Sequence, residues 1–331
     1  MKTFTIRRPR AFRLDAAASF FSGFVPGSGM AAADAGPGAL TLAFRLDGTF
    51  DAVVVALREE GDSLIAELAG SDDDRAAARQ IERILGLEAD ANAWAEVGER
   101  DPAVARLQRE FPGFFTATKP SPYDAAVWSI IAPRMQMRHA ASVKMAMSRA
   151  LGDHVVLGDR AHHVFPSPRV LAACESFPGL SEEKVRRLRG VGEAALEGKL
   201  DVDRLRAQPE GDALRELQTL RGIGPWAASH IYFRGAAPAD ALPTAEPRVL
   251  HGLAEAYGLT APDDAALHRL AERWRPFRMW VCVLLARHLA RSGGWHAPGL
   301  ARERAAAGKR ADSRQLTADS PLTSRFCSRL V

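Results

Sequence analysis

Between Leu220 and His230 the chain reads LRGIGPWAASH: two glycines and a proline, with a tryptophan directly behind them. The stretch holds no catalytic acid, no metal cage and no P-loop, so its chemistry is that of the main chain. Leu217 and Leu220 close one helix, RGIGP makes a tight turn, and Trp226 opens the next helix. Gly222 and Gly224 permit backbone conformations closed to other residues and leave amides uncovered by side chains. Pro225 suits the first turn of the second helix, where its missing N–H costs nothing. That helix then presents its first amides and positive dipole end outward, which seats a phosphate oxygen. An ordinary αα-turn has the same pattern, and a lone Gly-x-Gly does not separate the two readings.

The other reactive residue types are sparse. Cys174, Cys282 and Cys327 are far apart and odd in number. They cannot build a four-cysteine iron–sulfur or zinc site, and they suit a reducing compartment. Cys174 and Cys282 sit in apolar surroundings and read as core. A formal net charge of +4 is compatible with a nucleic-acid partner and equally with an ordinary soluble protein. The start, MKTFTIRRPRAFRLD, lacks an apolar run or a cleavage pattern, and no stretch is long enough to span a membrane, so the expected location is cytoplasmic.

The elements that must position the turn fall into three parts. Residues 1–72 read as a small antiparallel sheet: TFTIRR, ALTLAFRLDG and FDAVVVALREEGDSLIAELAG are alternating or β-branched runs broken by glycine. LDAAASFFSGF has helical spacing and packs against that sheet. GSDDDRAAARQIERILGL starts the next helix, with Ser71 and the aspartates as N-cap acceptors. Residues 73–296 read as an all-α domain of many short helices separated by Gly/Pro turns, with Pro133 interrupting one long apolar stripe. The tail 297–331 is basic, lacks a periodic apolar face and is expected to be disordered. The expected fold class is α+β.

Several stretches agree, in order, with one family. LQTLRGIGPWAASHIYFRG resembles the helix–hairpin–helix element of the DNA glycosylase superfamily. ILGLEADANAWAEVGERDPAVARLQREFPGFF, FPSPRVLA, KVRRLRGVGEAALEGKLD and AERWRPFRMWVCVLLARHL resemble regions of its 3-methyladenine DNA glycosylase II, alkylation-repair type. The resemblance covers most of residues 10–296, the amino-terminal sheet included.

The resemblance assigns roles. The family carries an Asp three residues after a Pro, and here Glu246 stands three residues after Pro243. A carboxylate there stabilises oxocarbenium character on the sugar or orients the attacking water; the bland reading is an acid serving the next helix through its dipole. Asp240 is expected to fix the preceding turn through bonds to the backbone. Members that also cut the strand place a Schiff-base lysine where this chain has Trp226, so a monofunctional enzyme is implied. Trp226, with Phe20, Phe21 and Phe24, is expected to wall a pocket for a flipped cationic base. His230 stands where relatives can carry an aromatic residue; protonated it would repel a cation, neutral it could stack or hydrogen-bond. Arg134, beside Pro133, replaces a Gln turn and reads either as a side chain at the gap left by the flipped nucleotide or as a phosphate contact or surface residue. Arg138, His139 and Lys144 read as backbone contacts or a solvated face. Gly222, Ile223 and Gly224 would grip DNA.

No cofactor is expected beyond a monovalent cation on the carbonyls of Gln218, Leu220 and Ile223. The partner implied is double-stranded DNA containing damaged bases, with no membrane and a monomeric chain. The implied function is removal of alkylated bases by hydrolysis of the N-glycosidic bond in base excision repair. The alternative is a non-catalytic, lesion-sensing DNA-binding protein on the same scaffold.

Overall fold

The computed structural model describes residues 1–23, 31–32, 38–244 and 246–293. Phe24, Cys327 and the basic tail, all singled out above, lie outside the described residues. The chain opens with β1 (Lys2–Arg7) and α1 (Leu14–Gly23), followed by β2 (Ala31–Ala32), β3 (Ala39–Arg45), β4 (Ala52–Glu60) and β5 (Ser63–Ala69). The strands form one antiparallel sheet in the order β1-β5-β4-β3-β2. Alternation sets which face is inside: Leu40, Leu42 and Phe44 of β3 are buried, and Leu14, Ala17 and Phe21 of α1 join them in the core. The β4–β5 connection is the two-residue loop Gly61–Asp62, with Gly61 in the left-handed region at φ +57.

Five helices and a hairpin follow: α2 (Asp74–Leu85), α3 (Ala91–Arg100), α4 (Pro102–Glu110), α5 (Pro122–Ile131), α6 (Met137–Leu151) and the pair β6 (Asp153–Leu157) and β7 (Arg160–Val164). Asp73 is the residue that caps α2, accepting the Ala76 amide at 2.9 Å, while Ser71 braces it by accepting the Asp73 amide. As its ring requires, Pro133 falls between α5 and α6. The hairpin is an exception to the all-α reading of residues 73–296. DHVVL and RAHHV flank a Gly158–Asp159 turn, a hairpin signal embedded in a helical stretch. It packs against β3, β4 and β5. Buried Arg45 fastens the junction: Nε donates to the Phe165 carbonyl at 2.7 Å, one Nη donates to the Phe50 carbonyl at 3.1 Å, and the other pairs with Asp153.

The remaining helices are α7 (Pro168–Ala172), α8 (Glu182–Leu196), α9 (Val202–Ala207), α10 (Glu210–Gln218), α11 (Pro225–Ile231), α12 (Pro247–Tyr257), α13 (Asp264–Ala271) and α14 (Arg278–Ser292). Cys174 and Cys282 are buried, as the sequence implies. Lys144 departs from the expectation of a surface or DNA contact. Its ammonium is buried and, with that of Lys119, shares the Asp124 carboxylate at 2.5 and 3.0 Å. The partner lies twenty residues upstream on α5, so helix-face reasoning along α6 does not reveal it. Among the described residues no helix is long and apolar enough to cross a membrane.

Candidate functional site

The turn between α10 and α11 is tied to α8, where Glu183 accepts from Arg187 at 2.9 Å and from Arg221 at 3.3 Å. Gly222 sits at φ +87, and a Cβ there would come within 2.5 Å of the Arg187 side chain, so only glycine fits without strain. Gly224 is different. Its φ of −89 suits any residue and a Cβ would meet nothing, so its missing side chain provides access rather than conformation. Ile223 is buried beneath the turn and its amide donates to the Leu220 carbonyl at 3.0 Å. The carbonyls of Gln218 and Ile223 accept no main-chain hydrogen bond from a described residue. With the second lone pair of Leu220 they form an oxygen-only donor set that suits a hard cation. No side chain caps α11.

From α11 the helix widens into one π turn (Tyr232–Ala236), where Gly235 presses on Pro122 so closely that a Cβ would lie 2.6 Å from the proline Cα. Helix and π turn carry Trp226, His230 and Arg234 to a cleft of about 510 Å³. Phe20 of α1, Glu246 and Arg248 at the start of α12, and Arg287 of α14 also line it.

Glu246 caps α12, accepting the Arg248 amide at 3.3 Å, so the dipole-serving reading is met. It also lies in the cleft. Burial alone would raise its carboxyl, but the Arg248 guanidinium, at 2.8 and 3.0 Å, and hydrogen bonds from the Arg248 amide and the Trp226 indole hold it below the ordinary glutamate range. Trp226 is 44% exposed and its ring stacks on His230, with centroids 5.3 Å apart and planes 10° from parallel. Burial, helped by Lys119, Arg234 and Arg248, pushes the His230 imidazole down to about 3, so it is neutral at pH 7. Its Nε2 is buried without a hydrogen-bond partner.

The phenylalanine wall is only half as expected. Phe20 lines the cleft, but Phe21, one position along α1 and so about 100° round it, points into the core and is 3% exposed. The cleft also holds cations that sequence reasoning missed. Arg287 lies over Phe114, Phe111 and Phe20 at 4.1, 4.9 and 5.3 Å from the ring centroids. Arg234 donates to the Ala117 carbonyl at 2.6 Å, and burial with Arg248 and Arg287 nearby lowers it to about 10. Neither Arg234 nor Arg287 pairs with a carboxylate among the described residues, and each keeps one buried nitrogen without a partner. A charged residue inside the apolar run WVCVLLARHL of α14 was the available signal for Arg287.

Other candidates lie outside the cleft. Asp240 fixes its turn through arginines rather than backbone amides, accepting from Arg275 at 2.6 Å and Arg278 at 2.7 Å. Arg134 is exposed at the tip of the α5–α6 turn with φ +61, a conformation uncommon for a side-chain-bearing residue. Lys184 clamps that tip by donating to the carbonyls of Ile131 and Pro133 at 2.6 and 2.8 Å. Arg138 and His139 are exposed on α6.

No family model matches the chain. It is 22% identical over 220 residues to a DNA-3-methyladenine glycosylase of Bacillus subtilis, covering 64% of this chain and 71% of that protein. It is 26% identical over 201 residues to DNA-3-methyladenine glycosylase 2 of Escherichia coli, covering 58% of this chain and 65% of the relative, just under two thirds of its length. Its fold matches a 3-methyladenine DNA-glycosylase from Archaeoglobus fulgidus at a TM-score of 0.72 and 20% identity, over 86% of this chain and 98% of that one. The hairpin, the sheet and these relatives agree: the chain is similar in sequence to DNA-3-methyladenine glycosylases and shares the fold of a solved 3-methyladenine DNA-glycosylase.

Proposed function

We propose that the protein is a monofunctional DNA glycosylase that binds damaged duplex DNA, takes one base into the cleft and hydrolyses its N-glycosidic bond. The observation that carries this reading is an ionised carboxylate, Glu246, in the same cleft as the Trp226–His230 stack and directly behind an uncapped, glycine-opened hairpin. As the C1′–N bond breaks, its electron pair leaves with the base and positive charge grows on the sugar. Glu246 stabilises that charge, and water adds at C1′ with loss of a proton. Arg248 fixes the carboxylate by holding both of its oxygens. No lysine lines the cleft among the described residues, which supports hydrolysis over a Schiff-base route.

On this reading Gly222, Ile223 and Gly224 hold a phosphate, with a monovalent cation on the carbonyls of Gln218, Leu220 and Ile223 as a further bridge. Arg134 enters the duplex where the nucleotide leaves, and Arg138 contacts the backbone. The chain acts as a monomer in the cytoplasm. Single-turnover release of bases from duplexes that each carry one damaged purine, charged or uncharged, tests the proposal, together with Glu246→Gln. We expect release by the wild type and a loss of about a hundredfold or more in the variant. Full activity in Glu246→Gln overturns the assignment.

A second reading, a lesion-sensing protein without catalysis, is favoured by one observation: both carboxylate oxygens of Glu246 are already engaged by Arg248. Tight, salt-sensitive binding to lesion-bearing DNA without base release would establish it.

A further inference from the structure

The cleft contains an aromatic box, and the protein fills that box with its own cation. Phe20, Phe111 and Phe114 surround the Arg287 guanidinium, and an incoming positive charge would compete for the same ring faces. The electrostatic balance points the same way. Of the charged side chains that line the cleft, Glu246 is the one acid, and it is matched by Arg248. Neither Arg234 nor Arg287 pairs with a carboxylate among the described residues, the acid that acts on Arg234 is Glu246, already bound to Arg248, and His230 beside Trp226 is neutral. Burying another cation here adds like-charge repulsion to the cost of desolvating it. Arg234 and Arg287 each hold a buried N–H lacking a partner, so the cleft is short of hydrogen-bond acceptors for its guanidinium donors.

We propose that Arg287 sets the specificity of this cleft, excluding positively charged N-alkylated purines and selecting uncharged purines that present carbonyl oxygens. A carbonyl supplies the acceptor that the guanidinium groups want, while the flat, uncharged ring still stacks on Trp226. This inference rests on the glycosylase reading for its catalytic form, but the preference itself is a property of binding.

The test uses the full chain and duplexes carrying either hypoxanthine, an uncharged 6-oxopurine, or 7-methylguanine, which is cationic in DNA. Single-turnover release is measured relative to spontaneous loss of each base, and affinity is measured on 2′-fluoro duplexes that resist hydrolysis. For the wild type we expect the hypoxanthine duplex to be favoured in both measurements. Arg287→Met, which removes the charge and keeps the bulk, should shift the ratio toward 7-methylguanine by about tenfold or more. Arg287→Lys keeps the charge and should keep the exclusion, which guards against a Met variant that merely fails to fold. A wild type that favours 7-methylguanine in affinity, or a ratio unmoved in a folded Arg287→Met, overturns the proposal. Absence of release from every duplex with the affinity preference intact overturns the glycosylase reading and leaves the specificity assignment standing.

Discussion

Two buried clusters of charge in this molecule are built on opposite principles. At Asp124 a carboxylate lies between the ammoniums of Lys119 and Lys144, each within hydrogen-bond reach, in the packed interior. In the cleft, Arg234 and Arg287 pair with no carboxylate among the described residues and rest on ring faces and a carbonyl, beside open volume. Since an unmatched buried charge costs several kcal/mol, the first arrangement serves the fold and the second is tolerated where something else gains from it. The contrast separates a cluster that serves the fold from the candidate site without reference to any relative.

The contrast breaks most readily at Asp124. Asp124→Ala leaves two ammoniums buried without a counter-charge and should destabilise the chain by about 3–5 kcal/mol in denaturant unfolding. A loss under 1 kcal/mol would mean the cluster is not structural. The hairpin repeats the comparison of closed and open sites on a smaller scale. Gly222→Ala, at positive φ and against Arg187, should cost about 1–2 kcal/mol. Gly224→Ala, in open space, should leave stability unchanged and weaken DNA binding; equal effects of the two on stability would contradict the geometry.

Acid titration sharpens it further. The folded His230 value of about 3 lies below the ordinary 6.5, so the unfolded chain takes up the proton first and stability falls as pH drops through that window. About 1 kcal/mol should disappear between pH 7 and about 5.5, and His230→Gln should remove that slope. The Asp124 contribution has a different window. The two lysines overcome the upward pull of burial and depress its carboxyl, so its stabilisation is full above the ordinary carboxylate range and is lost progressively as the pH falls from that range into stronger acid. The smallest expected change is in Arg287→Met. Lost ring contacts and a relieved buried charge should offset each other to within about 1 kcal/mol of stability. A loss comparable to that of Asp124→Ala would place Arg287 with the structural cluster.

Local pattern carried much of this architecture. Alternation located β1, β3, β4 and β5, glycine and proline marked the helix ends, and the run from Leu220 to His230 identified the turn that anchors the site. What pattern could not carry was convergence. Phe20, Phe111, Arg234, Arg248 and Arg287 come from separate elements and meet only once the helices pack. Phe20 and Phe21 look equivalent in sequence, and the helical rotation between neighbours decides which one enters the core. Lys144 reads as a surface lysine until Asp124 is brought beside it. The β6–β7 hairpin was within reach of sequence reasoning through its Gly158–Asp159 turn, and was hidden by the helical run on either side.

The clasp at Arg45 has a mechanical consequence. By joining β3 to Phe165 and Asp153, it ties the sheet, against which α1 with Phe20 packs, to the hairpin that links α6 and α7. Sheet and helices thus share one frame, and the gap between Phe20 and the residues of α11, α12 and α14 is set when the chain folds. Anything taken into that gap must be reshaped to enter it, and the work of deformation falls on the guest rather than on the host.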